Sequence, residues 1–145
     1  MTTIHREAIV SYSPKQMFQL VDDISSYSSF LPWCASSKEL MRNADQVEAS
    51  IELAKGAVRK TFTTRNRIQK NKMIEMRLLE GPFRHLEGFW RFDALSDGTA
   101  CKISLDMDFE FSNRLISLAV GPVFTSITNT LVDAFVDRAK AVYMK

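Results

Sequence analysis

The chain has 145 residues, a formal net charge of +2 and an apolar fraction of 46%. This length predicts one domain, residues 1–145, that buries roughly two-thirds of the surface of its unfolded form. The N-terminus lacks the apolar core of a signal peptide and no apolar run reaches the ~20 residues that cross a bilayer, so we expect a cytoplasmic protein. The net charge is too small to indicate DNA binding, and the two cysteines match no metal or redox spacing.

The N-terminal part predicts one strand followed by two short helices. The strand is Ile4 to Tyr12. A helix then begins at Ser13-Pro14, because serine caps a helix well and proline needs no hydrogen bond in the first turn. A second helical turn follows over Ser25 to Cys34 and is expected to end at Pro32.

From Ser36 onward, apolar and polar residues alternate with the period of two that is typical of half-buried strands. The longest alternation runs from Thr99 to Phe111. The predicted strands are Ser36–Asn43, Val47–Leu53, Ala57–Ile68, Met73–Glu80, His85–Leu95 and Thr99–Phe111. Short connections between them imply antiparallel hairpins.

The C-terminal stretch, Asn113 to Lys145, predicts a long helix with a broad apolar side, because its large apolar residues recur at steps of three and four. Asn113 suits the N-cap. Gly121-Pro122 predicts a kink, or a short helix followed by a longer one. These elements together predict an α+β fold in which a curved antiparallel sheet of about seven strands wraps around this helix.

The large side chains suggest an internal apolar space. Seven Met, ten Phe and two Trp are suited to an apolar ligand of variable shape, although simple core packing competes for each residue. The candidates to line that space are Phe30, Leu31, Trp33, Phe62, Met76, Trp90, Met107, Phe124, Ile127, Leu131 and Phe135.

A second feature is a basic segment, because no acidic residue lies between Glu52 and Glu75. Its cations are Lys55, Arg59, Lys60, Arg65, Arg67, Lys70 and Lys72. Arg59, Arg65 and Arg67 share one face of a strand, so we expect a cationic ridge that suits RNA phosphates or anionic lipid head groups. A merely solvated hairpin face is the competing interpretation.

Catalytic chemistry is hard to assemble from this sequence. It contains no Gly-rich phosphate loop, nucleophile elbow or zinc pattern, and His5 and His85 are far apart. Most carboxylates alternate with apolar residues, as expected for the solvent-exposed face of a strand. We therefore predict a protein that is not an enzyme and has no catalytic residues, metal or cofactor.

Several segments resemble one family, the coenzyme-Q-binding branch of the START-domain, or polyketide cyclase-like, superfamily. Its bacterial members include ribosome association toxins. The segments are SPKQMFQLVDDISSYSSFLPWC (Ser13–Cys34), KTFTTRN (Lys60–Asn66), EGPFRHLEGFWRF (Glu80–Phe92), DFEFSN (Asp108–Asn113) and AFVDRAKAVY (Ala134–Tyr143).

The resemblance implies a helix-grip fold, START/Bet v 1-like, with an apolar tunnel between the sheet and the C-terminal helix. One implied function is non-enzymatic binding of ubiquinone or a related polyprenyl lipid, as a ligand, in support of respiratory electron transport and with peripheral contact to the inner membrane. The alternative is a toxin of a toxin–antitoxin system that binds the large ribosomal subunit and blocks subunit association. A cyclase-like enzyme is a third, weaker option, since the wider superfamily contains some.

Overall fold

The computed structural model describes residues 1–144, so the predicted helix residue Lys145 lies outside the described part of the chain. It contains seven strands, two α-helices and one 3₁₀ helix. In chain order these are β1 (Thr2–Val10), α1 (Pro14–Asp22), the 3₁₀ helix (Ile24–Ser29), β2 (Cys34–Arg42), β3 (Gln46–Lys55), β4 (Val58–Gln69), β5 (Met73–Glu80), β6 (Phe83–Leu95), β7 (Ala100–Phe111) and α2 (Arg114–Tyr143).

The strands form one antiparallel sheet in the order β1-β7-β6-β5-β4-β3-β2. Strands β2 to β7 pair with their neighbours in sequence. Strand β1 pairs with β7 and forms one edge of the sheet. The predicted alternation holds along β7, where every second residue from Cys101 to Phe111 is buried. These residues face α2, so the predicted sheet wrapped around a C-terminal helix is confirmed.

Both short helices form after β1, as predicted. Ser13 caps α1 reciprocally: the Gln16 N–H donates to the Ser13 hydroxyl at 3.1 Å, and the Ser13 N–H donates to the Gln16 side chain at 2.8 Å. The second helix is a 3₁₀ helix that ends at Ser29, before the predicted stop at Pro32. It ends early because the Tyr27 carbonyl accepts the N–H groups of both Phe30 and Leu31 and turns the chain.

Helix α2 begins where the sequence predicts, since the Asn113 side chain accepts the Ile116 N–H at 2.9 Å. It continues unbroken through Pro122, so the predicted alternative of two separate helices is wrong. Proline leaves the carbonyl four residues earlier without its helical partner. That carbonyl belongs to Leu118, which is exposed, and water can therefore hydrate it.

The expectation that no apolar run is long enough to cross a bilayer is also wrong. Helix α2 is long enough and apolar enough to do so, judged by its length and composition alone. No charged residue lies between Arg114 and Asp133, and an 18-residue window of α2 has a mean hydropathy of 1.6. Serine, threonine and asparagine interrupt the apolar residues there without adding charge. In the fold this helix packs across the sheet, although only 28% of that window is buried.

Candidate functional site

An enclosed apolar cavity of about 60 Å³ lies between the sheet and α2. Strands β3 to β7 supply most of its wall, the middle of α2 supplies four residues, and the 3₁₀ helix and the segment before β2 supply one each. Its lining residues are Tyr27, Trp33, Ile51, Phe62, Thr64, Met76, Leu86, Gly88, Trp90, Met107, Phe124, Ile127, Thr128 and Leu131. This volume equals that of about two water molecules in the liquid, so the interior is nearly filled by its own side chains.

Eight of the residues predicted to line an internal space do so: Trp33, Phe62, Met76, Trp90, Met107, Phe124, Ile127 and Leu131. Phe30, Leu31 and Phe135 do not. Phe135 is fully buried against the rings of Tyr27, Phe30 and Trp90, so it fills core instead. Phe30 is half-buried with the Arg138 guanidinium over its ring, and Leu31 borders a separate open groove.

Six lining residues were missed by sequence reasoning: Tyr27, Ile51, Thr64, Leu86, Gly88 and Thr128. The strand alternation already places Ile51 and Leu86 on the inward face, so that signal could have found them. Gly88 offers no side chain to recognise, yet it matters because Met76 Cε and Met107 Sδ occupy the space above it. A Cβ at Gly88 would lie 2.4 Å and 2.6 Å from those two atoms.

The three hydroxyl groups in the cavity wall are hydrogen-bonded within the protein itself. The Thr64 hydroxyl donates to Asn66 Oδ1 at 2.9 Å, and the Thr128 hydroxyl donates to the Phe124 carbonyl at 3.1 Å. Tyr27 donates its hydroxyl to the Val21 carbonyl, and burial raises its pKa above the ordinary value for a tyrosine. The surface that these residues present to the cavity is therefore almost wholly apolar.

A cluster of five phenylalanines closes one end of the cavity. Its members are Phe62, Phe83, Phe109, Phe111 and Phe124, and ring centroids within it approach to between 4.8 and 6.1 Å. The β5–β6 turn lies directly on this phenylalanine cluster. A Cβ at Gly81 would lie 2.7 Å from Phe62 Cβ, and φ there is +153°, so glycine is required at this position.

An open groove lies beside the cavity, between α2 and the segment that leads into β2. Its lining includes Leu31, Trp33, Lys55, Asp133 and Asp137. Trp33 is the residue that borders both the groove and the cavity among the lining residues of each. Its half-buried ring therefore separates the apolar interior from solvent on this side.

The basic segment does not form the continuous cationic ridge predicted from sequence. Arg59 and Arg65 lie on the outer face of β4, but each pairs with a carboxylate of β3: Arg59 with Glu52 at 3.0 Å and Arg65 with Glu48 at 3.3 Å. Arg67 also lies on that face, opposite Glu75 of β5 in the strand register, but Glu75 pairs with Arg77 at 3.0 Å, and within residues 1–144 Arg67 has no carboxylate oxygen within 4 Å. The acidic residues of the neighbouring strands thus offset much of the arginine charge.

The lysines of the segment lie at opposite ends of the sheet. Lys55 and Lys60 flank the β3–β4 turn, whereas Lys70 and Lys72 lie in or beside the β4–β5 turn. All four are exposed, and within residues 1–144 none of them has a carboxylate oxygen within 4 Å. They are therefore the better candidates for contact with an anionic surface.

Both histidines lie close to carboxylates on the outer face of the sheet. His5 Nδ1 lies 2.6 Å from Asp106 on the neighbouring strand, and that hydrogen bond raises the pKa of His5 above its ordinary value. His85 lies 3.6 Å from Glu87. Over the described range, no three His, Cys, Asp or Glu side chains are grouped so as to hold a metal ion.

Sequence comparison matches residues 10–136 to the model of one family, described as polyketide cyclase/dehydrase and lipid transport. The chain belongs to that family. The Ribosome association toxin RatA of Escherichia coli (strain K12) is 47% identical over 143 residues, which cover 99% of this chain and 90% of that protein.

A more distant relative carries a different name. The mitochondrial Coenzyme Q-binding protein COQ10 homolog B of Xenopus laevis is 27% identical over 138 residues, which cover 93% of this chain and 57% of that protein. Among solved structures, the Zhui aromatase/cyclase from Streptomyces sp. R1128 superposes with a TM-score of 0.84 at 16% identity, covering 96% of this chain and 93% of that one. This likeness confirms the predicted START-like helix-grip fold.

Proposed function

We propose that the protein binds ubiquinone or a related polyprenyl lipid between the sheet and α2, without chemical catalysis, and supports respiratory electron transport from the cytoplasm. The observation that carries this proposal is the cavity, whose wall is apolar and whose hydroxyl groups are already paired within the protein. Such a wall favours a hydrocarbon ligand. Burial contributes about 0.8 kcal/mol per methylene, so a prenyl chain would bind strongly once inside.

The cavity as it stands is the closed form of the proposed site. Its volume of about 60 Å³ is well below the ~150 Å³ of an apolar cavity that admits benzene. Binding therefore requires the side chains that fill the interior to move. Met76 and Met107 are suited to this, because methionine is unbranched and has three rotatable bonds. Trp33 would move if the ligand enters from the open groove.

Tryptophan fluorescence can test whether a quinone occupies the cavity. Its two tryptophans, Trp33 and Trp90, both line the cavity, so quenching of intrinsic fluorescence by a short-chain ubiquinone analogue reports on its occupation. We expect saturable quenching, and quinone in an organic extract of the freshly purified protein. Absence of both would refute quinone binding.

A matched pair of glycine substitutions tests the location of the ligand. Gly88→Ala places a methyl group against Met76 and Met107 and pushes them into the cavity, so we expect quinone binding to weaken by about tenfold. Gly121→Ala is the control, because its Cβ would meet Phe111 and Ser117 at the ordinary contact distances of 3.7 and 3.8 Å. Equal binding by both variants would place the ligand outside this cavity.

A second candidate function is association with the large ribosomal subunit to block subunit joining, as a toxin. It is favoured by the 47% identity to the Ribosome association toxin RatA of Escherichia coli. We propose that the exposed lysines of the β4–β5 turn, Lys70 and Lys72, contact RNA phosphates, since Arg59 and Arg65 of the same segment are paired with carboxylates.

Charge reversal separates this candidate from quinone binding. The double variant Lys70→Glu and Lys72→Glu should lose co-sedimentation with large subunits and keep fluorescence quenching by quinone. Lys15→Glu with Lys140→Glu is the control, because it changes the net charge equally at exposed helical positions. Unchanged co-sedimentation of the Lys70 and Lys72 variant would remove this turn from ribosome binding.

A further inference from the structure

One asparagine lies on the inward face of the sheet among apolar side chains. Asn66 is 5% exposed and alternates along β4 with Arg65 and Arg67, which are exposed. The strand register places it between Val47 of β3 and Met76 of β5, so both of its lateral neighbours are apolar. Burial of an amide in such surroundings costs free energy unless its polar atoms find partners. A polar atom of Asn66 without a partner therefore needs an explanation.

The two polar atoms of the Asn66 side chain differ in this respect. Oδ1 accepts the Thr64 hydroxyl at 2.9 Å. Within residues 1–144, Nδ2 donates to no acceptor, so both of its N–H groups are unused. The nitrogen is also not sealed, because over the same residues Asn71 Oδ1 is the one fully enclosed side-chain polar atom without a partner. Asn66 Nδ2 therefore keeps a small accessible surface and can donate to a ligand atom.

Asn66 lies just beyond the wall of the closed cavity. It does not line that cavity, but Thr64 and Met76 do. Thr64 is an adjacent inward residue along β4, and Met76 faces Asn66 from β5. Side chains that face each other on adjacent strands have Cβ atoms about 4.5–5.5 Å apart. Met76 is also one of the methionines suited to move when a ligand enters, and its displacement would extend the cavity to the Asn66 amide.

The inward face of β4 runs from an aromatic end to a polar end. Phe62 belongs to the phenylalanine cluster, and Asn66 lies four residues further on, which corresponds to about 13 Å along a strand. Thr64 lies between them, and its hydroxyl is already used by Asn66. A ligand with a hydrocarbon chain and a head group that accepts hydrogen bonds matches this polarity. The carbonyl oxygens of a quinone are such acceptors, whereas a plain hydrocarbon offers none.

We infer that Asn66 binds the head group of the ligand by donating a hydrogen bond from Nδ2 to one carbonyl oxygen, with the hydrocarbon chain directed towards the phenylalanine cluster. Thr64 holds the amide in this orientation by occupying Oδ1. The inference rests on the proposed quinone-binding function and deepens it, because this hydrogen bond selects lipids with a carbonyl head group over lipids without one. A single hydrogen bond of this kind changes affinity about threefold to tenfold.

Infrared spectroscopy of a bound short-chain ubiquinone analogue tests the contact directly, because a hydrogen bond lowers the stretching frequency of a carbonyl group. The analogue is labelled with carbon-13 at one carbonyl at a time, so that the two bands can be assigned. In the unmodified chain we expect one carbonyl band below its position in a hydrocarbon solvent and the other near that position. A merely structural role of Asn66 would leave both bands at their solvent positions.

The double variant Thr64→Val with Asn66→Leu removes the donor and keeps the interior filled. Replacement of both partners of a buried hydrogen bond by apolar groups is nearly neutral for stability, so this variant should fold. We expect the lowered carbonyl band to return to its solvent position and the affinity to fall about threefold to tenfold. Thr128→Val is the matched control, because it removes another buried hydroxyl of the cavity wall, whose hydrogen bonds stay within α2. It should leave the lowered band in place.

The outcomes separate this inference from the proposed function. No quenching of tryptophan fluorescence by the analogue would refute quinone binding and the Asn66 hydrogen bond with it. Quenching with both carbonyl bands at their solvent positions, or a lowered band that persists in the double variant, would overturn the Asn66 hydrogen bond alone. So would a loss of affinity beyond about a hundredfold with unchanged urea unfolding, since it exceeds what one hydrogen bond contributes and indicates packing. The bands of the unmodified chain decide the matter even if a variant fails to fold.

Discussion

Replacement of Met107 by alanine tests whether the interior is packed as the structure shows. Met107 is 6% exposed and lies directly opposite Gly88 in the register of β6 and β7. Its side chain fills the space that glycine leaves open, at the edge of the cavity. Truncation would remove three heavy atoms from this contact and enlarge the cavity.

The expected cost of Met107→Ala is about 3–4 kcal/mol. Loss of apolar transfer contributes about 0.8 kcal/mol for each of roughly three heavy atoms, or about 2.4 kcal/mol. A residual cavity of roughly 60 Å³ at about 24 cal/mol per Å³ adds about 1.4 kcal/mol. The neighbouring Met76 is flexible and can move into part of the space, which places the expected value towards the lower end.

The assay is urea unfolding followed by tryptophan fluorescence, with Met73→Ala as the matched control. Met73 is a half-buried methionine that faces away from the buried Ile74 on β5, so its truncation should cost less than about 1 kcal/mol. Benzene should restore stability to Met107→Ala and not to the unmodified chain, because the enlarged cavity approaches the ~150 Å³ that admits benzene. Equal destabilisation by the two variants would refute the packing that we describe around Gly88.

Three further outcomes follow from the described contacts. Pro122→Ala should raise the free energy of unfolding by about 1–3 kcal/mol in urea titrations, since it restores a helical hydrogen bond at an exposed position; a loss of stability would contradict this. His5 should titrate above 6.5 by NMR, because its hydrogen bond to Asp106 stabilises the imidazolium. Its contribution to stability is then present below pH 6.5 and lost as the pH rises through the raised pKa; Asp106→Asn should return the midpoint towards 6.5. Burial raises the pKa of the Cys101 thiol to about 11, so Ellman's reagent at pH 8 should modify it only on unfolding, and rapid reaction would show that the thiol is accessible.

Much of the fold was predictable because its elements carry strong local signals. Strand β7 alternates without interruption, and α2 has both an N-cap residue and a broad apolar side. The two short helices after β1 also had clear signals, since Ser13 and Pro14 occupy positions that suit a helix start. The observed elements differ from the predicted ones mainly in their boundaries. The 3₁₀ helix, for example, ends before Pro32 because the backbone turns after Tyr27.

The charge distribution was less predictable, because it depends on the register between strands. The sequence separates Glu48 from Arg65 by a whole hairpin, yet the register of β3 and β4 places them directly opposite one another. Cross-strand pairs of this kind offset the charge of Arg59 and Arg65 in a basic segment that contains no acidic residue of its own. A prediction that considers one strand at a time cannot detect them.

The size of the cavity could not be predicted either, since it depends on how a few flexible side chains pack. The alternation of side chains along each strand places Phe62, Met76 and Met107 in the interior. These residues could equally fill a solid core or line an open tunnel. The structure leaves about 60 Å³ because the methionines fold over Gly88. A glycine in a strand is normally a weakness, and here it receives the side chains that close the site.

The closed cavity limits how a ligand can enter. A filled interior disfavours uptake of a long ligand from water, because parting α2 from the sheet would expose the phenylalanine cluster to solvent. Quinone uptake should therefore be slow, and Gly88→Ala, which pushes Met76 and Met107 into the cavity, should slow it further in a stopped-flow measurement of tryptophan quenching. An uptake rate equal to that of the unmodified chain would contradict this.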